Sequence, residues 1–145
     1  MESASEQLGR FVGEWNTEGF VYATGDDPGV IVKGTDSYEW LPGNFFLLHK
    51  VDVMMGDDTN QTFEIIGYDG VQKRFTLQYY DNKGNSGQMT ATVTNDEWII
   101  TGETLQFKGR FNTIGNEFSG VWEKHDEALP WKPFMDIKLT RSSII

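Results

Sequence analysis

Apolar and polar residues alternate with a period of two along most of this chain, the pattern of strands buried on one side. From Phe45 to Val53, one face carries Phe45, Leu47, His49, Val51 and Val53, and the other Phe46, Leu48, Lys50 and Asp52. The charged pair assigns the second face to solvent and the first to an interior. The same reading puts Met89, Ala91 and Val93 inside, opposite Gln88, Thr90, Thr92 and Thr94. Leu105, Phe107, Gly109 and Phe111 oppose Thr104, Gln106, Lys108 and Arg110, and Met135, Ile137, Leu139 and Arg141 oppose Asp136, Lys138 and Thr140. Between 61 and 68 the faces compete, with Phe63 and Ile65 against Ile66 and Tyr68. A helical period holds near the start, where Leu8, Phe11 and Val12 share one side of a short helix over 5–12.

These runs predict ten strands, at 13–24, 30–41, 44–55, 61–68, 74–81, 87–94, 97–102, 104–112, 117–124 and 134–141. The breaks carry turn residues, among them Gly25-Asp-Asp-Pro-Gly29, Pro42-Gly43, Asp69-Gly70, Asn82-Lys-Gly84-Asn85, Asn95-Asp96 and Gly115-Asn116. Short links pair sequence neighbours antiparallel. Closure of such a meander removes exposed sheet edges. The expected fold is all-β: a closed up-and-down antiparallel barrel of about ten strands after a short N-terminal helix, forming a single domain over 1–145.

Composition narrows the function classes. With no cysteine, disulfides and thiolate metal sites are excluded, and a reducing, cytoplasmic setting is the expectation. The start, Met1-Glu-Ser-Ala-Ser-Glu-Gln-Leu8, has no basic residue before an apolar run and does not read as a signal peptide. No apolar stretch is long enough for a membrane span. A formal net charge of −10 with no Lys/Arg cluster disfavours nucleic acid and anionic membranes as partners. Aromatic residues make up 14% of the chain, which predicts a well-filled interior or an aromatic-lined pocket.

Two residues break the apolar parity. Arg141 shares the inward face of the last strand, and a buried guanidinium needs a partner. Gly13-Glu14-Trp15 in the first strand offers one, so Trp15 and Arg141 are expected to close one end of the barrel through a cation–π contact. His49 lies among apolar neighbours, where desolvation favours neutral imidazole. It is expected either to contact a ligand or to be a core histidine satisfied by a hydroxyl or carboxylate. Tyr68 and Tyr79 are candidate polar anchors, with Leu47, Phe107 and Met135 as candidate wall residues. No spacing selects a carboxylate dyad; Glu64 with Asp52 and Glu103 with Glu123 are the pairs considered. There is no Gly-x-Ser-x-Gly elbow and no EF-hand loop, and no metal site or cofactor is expected.

The Gly13-x-Trp15 pair after a short helix, with Arg141 late in the final strand, resembles the calycin superfamily signature. Glu39-Trp-Leu-Pro-Gly-Asn-Phe-Phe-Leu-Leu-His49-Lys-Val-Asp52, Glu64-Ile-Ile-Gly-Tyr-Asp69, Tyr80-Asp-Asn-Lys-Gly84 and Trp131-Lys-Pro-Phe-Met-Asp-Ile-Lys-Leu-Thr-Arg141 together resemble a bacterial lipocalin-like family labelled a domain of unknown function. That resemblance implies a small closed barrel and carries no activity. More distant likenesses weaken on inspection. Nitrobindins hold haem through a histidine near the C-terminal end, whereas no His lies in the last strand here and His125 comes earlier, in a stretch that reads as a solvated loop. Fatty-acid-binding proteins use an Arg-x-Tyr pair that neither Arg110-Phe-Asn112 nor Arg141-Ser-Ser143 matches.

The leading expectation is a non-catalytic barrel that binds a small, largely apolar ligand entering opposite the Trp15–Arg141 closure. The alternative is a packed structural barrel that dimerises through outward Phe20, Tyr22 and Phe46. A less favoured third is an enzyme with His49 as base.

Overall fold

The computed structural model describes residues 2–125 and 130–142. A short helix α1 (Ala4–Gly9) opens the chain, fixed by a capping box in which Ser3 Oγ accepts the Glu6 amide and Glu6 reaches back to the Ser3 amide. Ten strands follow: β1 (Gly13–Val21), β2 (Val30–Trp40), β3 (Leu47–Met55), β4 (Asp58–Asp69), β5 (Arg74–Asp81), β6 (Ser86–Thr94), β7 (Glu97–Thr101), β8 (Leu105–Phe111), β9 (Glu117–Lys124) and β10 (Lys132–Arg141). Each pairs antiparallel with its sequence neighbours, and β1 pairs with β10, so the sheet closes into a barrel. Among the described residues no helix is long and apolar enough to cross a membrane.

The closing seam places Trp15 directly opposite Arg141. Trp15 is fully buried, and its indole N–H donates to the Phe11 carbonyl at 2.8 Å. The Arg141 guanidinium carbon lies 4.2 Å from the centre of the Trp15 ring system. The same guanidinium donates to the carbonyls of Val12 (2.9 Å), Arg10 (2.6 Å) and Gly115 (3.3 Å). One cation thus ties β1, β10, the residues after α1 and the β8–β9 turn together. Beside it, Phe11 plugs this end of the barrel, with ring centroids 4.8–5.1 Å from those of Tyr38, Trp98, Phe111 and Phe118.

Gly34 in β2 lets the neighbouring strand β3 approach closely. A Cβ on Gly34 would stand 2.1 Å from the Asp52 carbonyl oxygen, a backbone atom that cannot swing aside. Gly34→Ala is therefore expected to cost about 1–3 kcal/mol by overpacking, measured as a lower urea midpoint. An unchanged midpoint would show that β2 and β3 can separate freely there.

The alternating faces fall largely as the sequence predicts. Leu47 and Val53 are buried, as are Ala91, Phe107, Met135 and Leu139. Between 61 and 68 the competition resolves with Glu64 and Ile66 buried and Phe63 exposed. Three expectations need correction. Phe45 is 75% exposed rather than interior, because β3 begins only at Leu47. The helix spans Ala4–Gly9, so Phe11 and Val12 lie beyond it. His125 is not simply solvated: it is half-buried with its ring edge-on to Trp131 at 4.3 Å. On the outer surface, Phe20 and Phe46 are exposed and Tyr22 half-buried.

Candidate functional site

The barrel interior is not filled. A cavity of about 570 Å³ runs from Leu8 and Phe11 under the plug to Asp81, Asn85 and Ser86 at the other end. Most of its wall is apolar or aromatic, contributed by inward positions around the barrel such as Val53, Leu77, Ala91 and Ile137. Leu47 is buried in the core cluster near the plug, and Phe107 and Met135 line the cavity itself.

Against this apolar background one stripe of wall is polar. Antiparallel register aligns Tyr38 with His49, His49 with Glu64, Glu64 with Tyr79, and Tyr79 with Gly87. Strand alternation turns all these side chains to the same face. His49 Nδ1 lies 2.9 Å from Glu64 Oε1, and Nε2 lies 2.6 Å from Asp36 Oδ2. The other Asp36 oxygen accepts the Thr17 hydroxyl. The Tyr38 ring stacks on the imidazole at a centroid distance of 4.0 Å and an interplanar angle of 7°.

This geometry suits a charged His49: opposite two carboxylates each ring nitrogen would donate, which is the hydrogen bonding of an imidazolium. Burial alone would lower its pKa, as the sequence suggests. The hydrogen bonds to Asp36 and Glu64, reinforced by their charges, outweigh burial and push it up to about 9. The expectation of neutral imidazole is thus corrected, while a core histidine satisfied by carboxylate matches the arrangement. Burial, followed by the nearby Asp36 and Glu64 charges, holds the Tyr38 phenol well above its ordinary value and so keeps it neutral.

The remaining tyrosines separate. Tyr79 lines the cavity next to Glu64, and Gly87 makes room for it: a Cβ there would meet the Tyr79 hydroxyl at 2.7 Å. Tyr68 lies outside the cavity wall, 43% exposed and edge-on to Phe75 toward the plugged end of β4. Trp122 lines the cavity, whereas Trp40 packs outside it against Gly9. Asp36 is the residue that sequence reasoning missed. Its signal was present: it follows Val32 and Gly34 on the inward parity of β2, one step from Tyr38. Asp52, considered with Glu64 as a dyad, points to the outer face. Among the described residues no group of three or more His, Cys, Asp or Glu side chains is arranged to hold a metal ion.

Comparison with known proteins places this fold among solved structures. The crystal structure of Rv2717c from M. tuberculosis is similar with a TM-score of 0.69 at 15% sequence identity, covering 99% of this chain and 100% of that one. At that identity the likeness extends to the fold alone. No curated protein matches in sequence. Residues 2–141 match the family described as "Protein of unknown function (DUF1579)". By a match that spans nearly its full length, this chain belongs to the DUF1579 family.

Proposed function

We propose that the barrel is a non-catalytic container for a small, largely apolar molecule, as a lipocalin-like protein would be. The cavity carries this reading. Protein interiors leave few voids larger than a water molecule, and ligand pockets typically span roughly 300–1,000 Å³ with mostly apolar walls and a few polar groups. A void of about 570 Å³, mostly apolar with a polar stripe and a polar mouth, fits that description. Entry would be at the end away from the Trp15–Arg141 latch, past Asp81, Asn85 and Ser86.

His49 is poorly suited to act as a general base. Both ring nitrogens are engaged, and the ring is already protonated at neutral pH. Its place in the wall is that of a charge balancing two carboxylates.

Nile red, a neutral dye, tests the reading directly. Saturable one-to-one binding is expected, with quenching of the cavity tryptophans Trp98 and Trp122 and a raised melting temperature. Met135→Trp, which pushes bulk into the cavity, is expected to weaken the dye by about tenfold or more while the protein stays folded. If neither Nile red nor a simple apolar alcohol binds saturably, the container reading fails.

A further inference from the structure

We propose that the occupant carries a primary ammonium head on an apolar tail, with Glu64 as the residue that receives the head. This rests on the container reading and adds the chemical class of the ligand.

The lining charges point one way. Asp36, Glu64 and Asp81 contribute carboxylates, His49 contributes the cation, and no Lys or Arg is among the described residues of the wall. An anionic head such as a fatty-acid carboxylate would find no free donor of positive charge. The imidazolium spends one N–H on Asp36 and the other on Glu64, leaving nothing for a ligand.

The carboxylates are not equally occupied. Asp36 accepts from Thr17 at one oxygen and from His49 at the other. Glu64 accepts from His49 at Oε1, while Oε2 takes no hydrogen bond from any described residue. Yet Glu64 is only 7% exposed and lines the cavity. A bound molecule that displaces solvent from the cavity must give this oxygen a donor or leave it unmet, which is costly for a charged acceptor. A ligand N–H⁺ supplies that donor. It also offsets the excess of two carboxylates over one imidazolium, in surroundings where Coulombic attraction is stronger than in water.

The neighbourhood suits the same head group. Tyr79 stands directly opposite Glu64 in register and lines the same cavity. Its ring offers a π-face to a cation passing to Glu64. Asp81, two residues further along β5, lies at the mouth. There it is anchored by accepting the Lys83 and Asn85 amides at 2.9 Å each, so it presents negative charge without moving. The tail would extend along the apolar wall toward Phe107 and Met135.

The test compares three probes sharing one tail: n-decylammonium, 1-decanol and decanoate. Each is titrated at neutral pH and about 0.15 M salt, at concentrations where it stays monomeric, by calorimetry and tryptophan fluorescence. In the wild type, decylammonium is expected to bind about tenfold or more tightly than decanol, and decanoate more weakly than decanol. Glu64→Gln is expected to bring decylammonium to within about threefold of decanol while leaving decanol unchanged. If decanol binds and decylammonium binds no tighter, or if decanoate binds best, the ammonium proposal is overturned and the container stands. If none of the three binds although Nile red does, the ammonium proposal alone is overturned; if Nile red fails as well, the container itself falls. A preference for ammonium that survives in a folded Glu64→Gln variant overturns the assignment to Glu64. Should that variant not fold, the ranking of the three heads in the wild type decides the proposal.

Discussion

His49→Ala is expected to lower the unfolding free energy by about 3–5 kcal/mol, among the largest effects of any single substitution in this protein. The imidazole itself contributes little hydrophobic area. What is lost is the cation that bridges Asp36 and Glu64, leaving two carboxylates facing each other across a low-dielectric wall. Urea denaturation followed by tryptophan fluorescence measures the change. Adding Glu64→Gln to His49→Ala should recover part of the loss, because one of the stranded charges then disappears. Such coupling identifies the pair as interacting, since independent sites would simply add. A loss below about 1 kcal/mol for His49→Ala would mean that water compensates the carboxylates and that the cluster is not closed.

The same residue sets a pH signature. Its pKa stands at about 9 in the folded protein, against 6.5 for an unperturbed histidine. Because the folded value is the higher one, the stabilisation is complete below the unfolded value, declines as pH rises, and is lost as pH passes through about 9. Its size is on the order of 3 kcal/mol. Tyr38, whose folded pKa is also raised, removes further stability only at higher pH, above the ordinary range of a phenol. The slope between neutral pH and about 9 therefore belongs to His49, and His49→Ala should flatten it.

Trp15→Ala is the second large expectation, about 3–5 kcal/mol. Trp15 has no exposed surface, and its removal takes away the ring beneath Arg141, the indole donor to Phe11 and the contact with Phe111. The surviving guanidinium keeps its carbonyl partners but loses its apolar floor. Trp15→Phe retains an aromatic face and fills much of the volume, so it should cost distinctly less than the alanine. Equal losses for the two variants would show that the indole N–H, not the ring, carries the contribution. Denaturation midpoints compared at constant m-value distinguish these outcomes.

The fold was legible because barrel strands announce themselves through parity and turn chemistry. Asn95 and Asp96 show how directly: both adopt positive φ, 52° and 65°, in the two-residue hairpin between β6 and β7 that their side chains favour. Trp15 and Arg141 could be paired from sequence because an inward guanidinium needs a partner and Gly13-Glu14-Trp15 in the first strand offers one. The polar stripe was less legible. His49 could be placed on the inward face, but its charge depends on which strands lie beside β3 and in what register. Asp36 and Glu64 are separated from it by 13 and 15 positions, and alternation within one strand says nothing about the neighbour's alignment. Asp36 was further hidden among Lys33, Thr35 and Ser37, where an inward acid looks like one more surface residue. Tyr68 illustrates the opposite failure. It has the inward parity of Glu64 and Ile66, but it sits one residue from the end of β4, where parity no longer guarantees enclosure.

The β1–β10 seam has a consequence for synthesis. Every other strand pair is made between sequence neighbours and can zip as the chain emerges, whereas this one waits for residues 132–141. Until β10 leaves the ribosome, β1 and β9 each present a bare row of amides and carbonyls, the kind of edge on which other chains add. Arg141 is the last residue of β10, so its docking over Trp15 comes at the end of that wait. It converts a nine-stranded sheet with two sticky margins into a surface with none.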